Sequence, residues 1–160
     1  MSRMKRFLLM LGVATIIATS TGCAGTPTSG MKASVSIHSE QDYKDFIADT
    51  MNDQSTSFEA LTYLFNNPKM GNDAWTKDVA MVLAGLQMSS MDYLNYTDIP
   101  SGYEQIDKHL DKAMNSYIDF TTTTAEGIDA RDSDIIRKAN GYLAAGVKEV
   151  DAATQLMKTK

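Results

Sequence analysis

The chain has few side chains that could act as nucleophiles or bind a metal ion. Its 160 residues include one cysteine, Cys23, and two histidines, His38 and His109. A single cysteine cannot form an internal disulfide or a cysteine-based metal site, and a catalytic zinc ion needs about three protein ligands. Glu-x-x-His pairs, Gly-rich phosphate loops and Gly-x-Ser-x-Gly turns are absent from the sequence. We therefore expect no catalytic residue, no metal site and no cofactor, and a protein that is not an enzyme.

The segment that precedes the cysteine predicts an N-terminal signal peptide, residues 1–22. Three basic residues, Arg3, Lys5 and Arg6, come before an apolar run from Phe7 to Thr19. These 13 residues are too few to span a hydrocarbon core, which takes about 20. Small residues then lead up to the cysteine. On these features alone, an ordinary secretory peptide cut near an incidental cysteine is an alternative.

Gly22 and Cys23, at the end of this run, resemble the lipobox of bacterial lipoproteins, although Ser20 stands where that family usually has leucine. The resemblance implies that the Cys23 thiol receives a diacylglycerol through a thioether and that the signal peptide is cut before it. Acyl chains such as palmitate would anchor the protein at the extracytoplasmic face of the cell membrane, because two or more chains give stable attachment. Ala24 does not resemble the aspartate that retains such proteins in the inner membrane of Gram-negative cells, so an outer-membrane location is also open.

The balance of charge argues against two classes of partner. From Cys23 onward the chain has 20 acidic and 12 basic residues, a formal net charge of −8. A nucleic-acid-binding domain carries a basic stripe, and docking on anionic headgroups through charge needs a basic patch. We therefore expect no nucleic-acid partner, and contact with the lipid bilayer only through the acyl anchor on Cys23.

The residues from Cys23 to His38 are predicted to form a flexible tether. They include Gly25, Pro27 and Gly30 among several serines and threonines, and they show no helical period. The predicted organisation is a signal peptide over 1–22, a lipidated cysteine with its tether over 23–38, and one folded domain over 39–160.

Four segments of helical length follow, and each carries apolar residues in alternating steps of three and four. That spacing keeps side chains on one helix face, and the short loops force neighbours to run antiparallel. Ser39 is a candidate cap of the first segment, and Ser101 with Glu104 forms a candidate capping box before the third. The sequence therefore predicts an all-α, antiparallel up-down four-helix bundle, with Trp75 buried near one end. The predicted buried lines are Ile47, Met51, Phe58, Leu61 and Phe65; Trp75, Val79, Val82, Leu86, Tyr93 and Tyr96; Tyr103, Ile106, Leu110, Ala113, Tyr117 and Phe120; and Ile136, Ala139, Leu143, Gly146, Val150, Ala153 and Met157.

Four aspartates recur at steps of three and four along the first segment, so they should share one face of its helix. Such carboxylates could meet a basic protein partner or weakly hold divalent cations, whereas the alternative is a solvated face that only keeps the protein soluble. The first segment carries six acidic residues against Lys44 alone, so one side of the bundle is expected to be markedly more negative than the other. The four candidate residues are Asp42, Asp45, Asp49 and Asp53.

A second candidate site lies at mid-height of the predicted bundle. Gln54 interrupts the apolar line of the first segment, and Gly85 and Gly146 are expected at a similar height. One interpretation is that helices pack closely around these small residues, and the other is a small-ligand pocket between the helices. Because a buried amide needs a partner, we expect Gln54 to bond the hydroxyl of Tyr117 or a ligand beside the two glycines.

A further resemblance rests on Trp75, on the Ile99-Pro100 break followed by Tyr103, and on the run Gly127-Ile128-Asp129. From Trp75 to Met157 the chain is similar to small helical lipoproteins of Gram-positive bacteria and their phages, which implies fold and location only. The expected function is that of a membrane-anchored, non-enzymatic protein-interaction module, with a small-ligand-binding lipoprotein as the alternative. The sequence leaves the oligomeric state open.

Overall fold

The computed structural model describes residues 40–160. The predicted signal peptide, Cys23 with its tether and the candidate cap Ser39 lie outside the described residues, and what was expected of them stays a prediction. Within the described range the chain forms four helices and no strand, which confirms the all-α class. The helices are α1 (Glu40–Asn66), α2 (Asp73–Leu94), α3 (Glu104–Ala130) and α4 (Ser133–Met157).

Helices that follow one another in the chain also pack against one another. α1 packs on α2, α2 on α3 and α3 on α4, and the most extensive approach of two backbones is between α3 and α4. The connecting loops cover only 67–72, 95–103 and 131–132, and loops this short make neighbouring helices antiparallel. The predicted up-down four-helix bundle is confirmed.

Polar groups next to the helices set where α2 and α4 begin. The Asn72 side chain accepts a hydrogen bond from the Trp75 N–H at 3.0 Å, and the Asp132 side chain accepts one from the Asp134 N–H at 2.8 Å. Both side chains satisfy backbone donors that the first helical turn leaves free. Arg131 closes α3 in the left-handed region, with φ of 53°, so the chain reverses within two residues.

The predicted capping box of α3 is wrong in its details. The helix begins at Glu104, and the preceding Tyr103 makes no side-chain capping bond. The Glu104 carboxylate accepts a hydrogen bond from the N–H of Gly102 at 2.9 Å, not from that of Ser101. The reason is a tight turn, in which Gly102 has φ of +87° and the Tyr103 N–H bonds the Pro100 carbonyl at 3.0 Å.

The buried side chains form two clusters along the bundle. One cluster surrounds Trp75, which is 5% exposed in the first turn of α2, as predicted. The other contains Tyr43 of α1 and Tyr93 near the end of α2. Every position of the line predicted for α3 is buried. On α2 the prediction of Val82 is wrong, because the neighbouring Leu83 is buried and Val82 is only partly covered.

Small residues explain how closely α3 and α4 approach. Gly146 lies against the ring of Tyr117, and a Cβ at this position would clash with it. Gly85, in contrast, is exposed on α2 with open space beside it, so its expected place in the interior is wrong. Because Leu86 faces the core and adjacent helical residues differ by about 100° of rotation, Gly85 lies on the outer side of the helix.

Candidate functional site

The outer face of α1 carries the four predicted partner-binding residues. All four are exposed, and their steps of three and four place them on one side of the helix. At a rise of about 1.5 Å per residue, the first and last are about 16 Å apart. Their shared exposed face is confirmed, and their role in binding stays a prediction. We call them the acidic line: Asp42, Asp45, Asp49 and Asp53.

The inner face of α1 is held by a hydrogen-bond network that joins three helices. The hydroxyl of Tyr43 lies 3.0 Å from that of Tyr93 and 2.9 Å from Oδ1 of Asp107. The Tyr93 hydroxyl also donates to this carboxylate oxygen, at 2.9 Å. Two buried phenols, one from α1 and one from α2, thus share one acceptor on α3. These bonds attach the inner face of α1 to the other two helices, while the acidic line lies on its outer face.

Burial makes both phenols of this network harder to deprotonate. It raises the pKa of Tyr43 and of Tyr93 well above the ordinary value for tyrosine, and the nearby Asp107 charge acts in the same direction. Burial, together with the charge of Asp107, also raises the pKa of Asp111, one turn further along α3. Since the phenols keep their protons, they serve as hydrogen-bond donors within the core.

The first turn of α1 is held by its own lysine and by Tyr103, the residue that precedes α3. Oε1 of Glu40 accepts hydrogen bonds from Nζ of Lys44 and from the hydroxyl of Tyr103, both at 2.6 Å. These bonds, that of Lys44 first, hold the pKa of Glu40 below its ordinary value. Lys44 is the only basic residue of α1, and its Nζ forms an ion pair with Glu40.

An exposed aromatic residue that the sequence analysis missed extends this face. Tyr63 is 70% exposed, and it stands ten residues after Asp53, or about 15 Å further along α1. Steps of three and four lead from Asp53 through Thr56 and Ala60 to Tyr63. The helical spacing alone therefore predicts that Tyr63 shares a face with the acidic line. Tyrosine is enriched among the residues that dominate protein interfaces.

Gln54 is buried as predicted, but its expected partner is wrong. Its Nε2 lies 2.8 Å from Sδ of Met114 and 3.4 Å from Oγ of Ser90, so the amide nitrogen has partners without the hydroxyl of Tyr117. The ring of Tyr117 instead packs edge-on against Phe58, with ring centroids 5.1 Å apart.

The four residues predicted to line a mid-bundle pocket are not brought together. Gly85 faces outward, while Tyr117 and Gly146 fill the space beside each other. Two surface clefts of about 220 and 200 Å³ lie beside Trp75, at the end of the bundle. Both are smaller than the roughly 300–1,000 Å³ of typical ligand pockets.

His109 makes a cross-helix contact that the sequence did not indicate. Its Nδ1 lies 2.6 Å from Oε2 of Glu149 and so joins α3 to α4. The hydrogen bond with His109 lowers the pKa of Glu149. Within residues 40–160, no group of three or more His, Cys, Asp or Glu side chains is placed to hold a metal ion.

Attachment to the membrane is predicted at Cys23, which precedes the helical domain. Cys23, the predicted lipidation site, lies outside the described residues, and its acylation stays a prediction. Among the described helices, none combines the length and the apolar character needed to cross a membrane. No protein-family model, no curated protein and no solved structure matches this chain.

Proposed function

We propose that the protein is a membrane-anchored extracytoplasmic lipoprotein whose helical bundle is a non-enzymatic protein-interaction module. Acyl chains on Cys23 set its location, and residues 23–38 set its reach. The acidic line of α1 binds a basic surface on a protein partner. The observation that carries the proposal is the exposure of all four aspartates on one helix face.

The electrostatics of α1 support a basic partner. The helix has six acidic residues and one lysine, and that lysine already pairs with Glu40. Complementary charge steers the encounter of two proteins and fixes their orientation more than it adds affinity. Because exposed charges are screened beyond about 10 Å at 0.1 M salt, the association rate with the partner is expected to fall as ionic strength rises.

Tyr63 can supply binding free energy that the exposed carboxylates do not. Exposed charge pairs contribute little binding free energy, whereas a large aromatic ring that becomes buried in an interface contributes much more. Tyr63 is 70% exposed and lies on the same helix as the acidic line. The proposed interface therefore extends along α1 from Asp42 to Tyr63, with the ring as its anchor.

The lipid anchor is tested by detergent phase partitioning of membrane extracts. The wild-type protein is expected in the detergent phase, and Cys23→Ser is expected in the aqueous phase because the thiol that receives the lipid is gone. Ser29→Ala, a change of similar size in the predicted tether, should partition like the wild type. Retention of Cys23→Ser in the detergent phase would contradict the proposed anchor.

The interaction surface is tested by photo-crosslinking in intact membranes. A photoreactive residue in place of Asn52, which is exposed beside the acidic line, should yield a discrete crosslinked protein. The same residue in place of Asn140, exposed on α4, should not.

The charge requirement is tested with matched triple variants. Asp45→Asn, Asp49→Asn and Asp53→Asn together should remove most of the Asn52-dependent product. The control carries Asp119→Asn, Glu126→Gln and Asp129→Asn, which remove the same charge from exposed positions of α3. Equal crosslinking by both triple variants would show that α1 does not provide the binding charge.

A further inference from the structure

The outer side of α2 is apolar over most of its length. Between Asp78 and Asp92 the sequence has no charged residue. Three methionines of this uncharged stretch are exposed to solvent: Met81 is 57% exposed, Met88 65% and Met91 49%. The outer face of a helix in water ordinarily carries polar and charged residues, and contiguous exposed apolar surface marks an interaction site.

Between Lys77 and Asp92, six exposed residues of α2 form a surface that we call the α2 face. At about 100° of rotation per residue, they fall within a sector of about 100° on the side opposite the buried Leu83 and Leu86. Their side chains therefore point away from the bundle. The six residues are Lys77, Met81, Ala84, Gly85, Met88 and Asp92.

The order of residues in the α2 face is symmetric about the point midway between Ala84 and Gly85. Met81 and Met88 are equally distant from this point, and so are Lys77 and Asp92. In either direction the face shows a charge, a methionine, two small residues, a methionine and a charge. An interface with two-fold symmetry requires a surface that is complementary to itself in this way.

A second α2 laid antiparallel across the first satisfies every element of this pattern. Met81 then contacts the partner subunit's Met88, and Lys77 meets the partner subunit's Asp92, each twice. The small residues lie where the helices cross. No atom lies within 4 Å of a Cβ built at Gly85, so the chain itself does not obstruct an interaxial distance of about 8 Å.

The charges of the bundle favour a second copy as the partner, and the charges at the two ends of the α2 face favour the antiparallel orientation. Within residues 40–160, neither Lys77 nor Asp92 has an ion-pair partner. A parallel arrangement would place like charges together, whereas the antiparallel one pairs opposite charges. The same range has 20 acidic and 11 basic residues, so two copies repel over most of their surface and approach most easily at an uncharged face.

We propose that the α2 face binds the α2 face of a second copy of this chain, antiparallel, about a two-fold axis between Ala84 and Gly85. This interface is separate from the α1 surface and does not depend on the lipid anchor. A single helix per subunit provides less than the roughly 800 Å² per partner of a standard interface. The dimer is therefore expected to dissociate at concentrations on the order of micromolar.

Disulfide crosslinking tests the position and direction of the crossing. The full chain in detergent solution, with Cys23→Ser to remove the native thiol, receives single cysteines on α2. Ala84→Cys lies next to the axis and should form a disulfide-linked dimer on mild oxidation. Met81→Cys alone should not, because the two copies of residue 81 are about 10 Å apart along the helices, beyond the reach of a disulfide.

The pair Met81→Cys and Met88→Cys in one chain should restore the crosslink, since each residue meets the other one in the partner. Asp119→Cys, exposed on α3, is the control for chance collision. A crosslink through Met81→Cys alone as strong as that through Ala84→Cys would overturn the antiparallel arrangement.

Charge reversal provides an independent test by sedimentation equilibrium of the Cys23→Ser chain. Lys77→Glu should weaken the dimer about tenfold, because it places two carboxylates together at each end of the interface. Adding Asp92→Lys to the same chain should restore wild-type association, because both pairs are then reversed. Circular dichroism checks that each variant keeps its helical content.

Two outcomes would overturn the dimer altogether. One is a monomer at all concentrations up to about 100 μM, together with no crosslink through Ala84→Cys. The other is a monomeric Cys23→Ser chain that sediments with phosphatidylcholine vesicles and loses this binding on Met88→Glu, which would identify a membrane surface as the occupant of the α2 face.

Discussion

The two ends of the bundle satisfy their buried polar groups in different ways. At the Trp75 end, where α1 passes into α2, the indole Nε1 donates to the carbonyl of Leu64 at 3.1 Å, and Asn72 caps the adjacent helix. At the Tyr43 end, where α1 begins, two phenols converge on Asp107 from different helices. The first set of bonds joins residues at most 11 positions apart, whereas Tyr43 and Asp107 are 64 positions apart.

The hydrogen bonds of the two ends therefore differ in what must fold before they can form. The bonds of the Trp75 end can form as soon as the turn between α1 and α2 forms, because all the groups lie in one hairpin. The network of the Tyr43 end exists only when α1, α2 and α3 are aligned, and a carboxylate that accepts bonds from two buried donors is costly to lose. We expect the Trp75 end to depend mainly on apolar area and the Tyr43 end to respond to ionisation.

The largest expected effect is at the Trp75 end. Trp75→Ala should lower the free energy of unfolding by about 3–5 kcal/mol, because it empties a fully buried aromatic site. Urea unfolding followed by circular dichroism measures it. Trp75→Phe keeps much of the apolar area but loses the bond to Leu64, so its effect should be smaller. A loss well under 1 kcal/mol for Trp75→Ala would mean that the ring does not support this end.

Alkaline pH should weaken the Tyr43 end selectively. The pKa of Tyr43 is higher in the folded chain than in the unfolded chain, so its contribution to stability is complete below the ordinary pKa of about 10 and is lost as pH rises further. The free energy of unfolding should fall by up to about 1.4 kcal/mol per pH unit for this residue. Urea unfolding between pH 9 and 11, roughly the range around the ordinary tyrosine pKa, measures the slope.

Tyr43→Phe should reduce that slope, because phenylalanine does not ionise. Tyr63→Phe is the matched control, since this ring is 70% exposed and lies outside the network. Equal slopes for the wild type and Tyr43→Phe would show that the phenol ionises as readily in the folded state as in the unfolded one.

A smaller effect, of opposite sign, is expected at the Trp75 end. Oγ1 of Thr124 is buried and has no hydrogen-bond partner within residues 40–160. Thr124→Val replaces the hydroxyl with a methyl group of similar size, which should stabilise the fold by about 1 kcal/mol. Thr122→Val, at an exposed position of the same helix, controls for the change in helix propensity. A loss of stability in Thr124→Val alone would indicate that the hydroxyl has a partner in solution.

The smallest effect is expected where the two ends meet. Gln54→Leu should change the free energy of unfolding by less than about 1 kcal/mol, because Met114 needs no donor and the Ser90 hydroxyl still bonds the carbonyl of Leu86 at 2.8 Å. Thermal unfolding of both proteins gives the difference. A loss of several kcal/mol would mean that the amide is a structural link between the two ends.

The two ends also differ in how far the sequence predicts them. Trp75 and the apolar line of α3 were predicted correctly, because large apolar residues at helical spacing have few places to lie other than the core. Tyr43 was not included in the line of α1, although it precedes Ile47 by one turn. No expectation was formed for Asp107, since spacing does not show which carboxylate will accept bonds from another helix.

The orientation of the small residues in the candidate pocket was the hardest feature to predict from the sequence. Gly85 and Gly146 look alike in the sequence, but one faces outward and the other lies against Tyr117. Only the direction of the neighbouring large side chains distinguishes them, and on α2 the choice between Val82 and Leu83 shifts that direction by about 100°. The symmetry of the α2 face became visible once the buried side of the helix was known.

Trp75 is the only tryptophan of the chain, whereas five of the seven tyrosines belong to or pack against the opposite cluster: Tyr43, Tyr93, Tyr96, Tyr103 and Tyr117. The unmodified protein therefore contains two optical reporters, one at each end. Indole fluorescence follows the opening of the α1–α2 turn, and near-ultraviolet tyrosine absorbance is weighted towards the other end. Coincident melting curves would show that both ends unfold as one cooperative unit, and separated curves would show which end frays first.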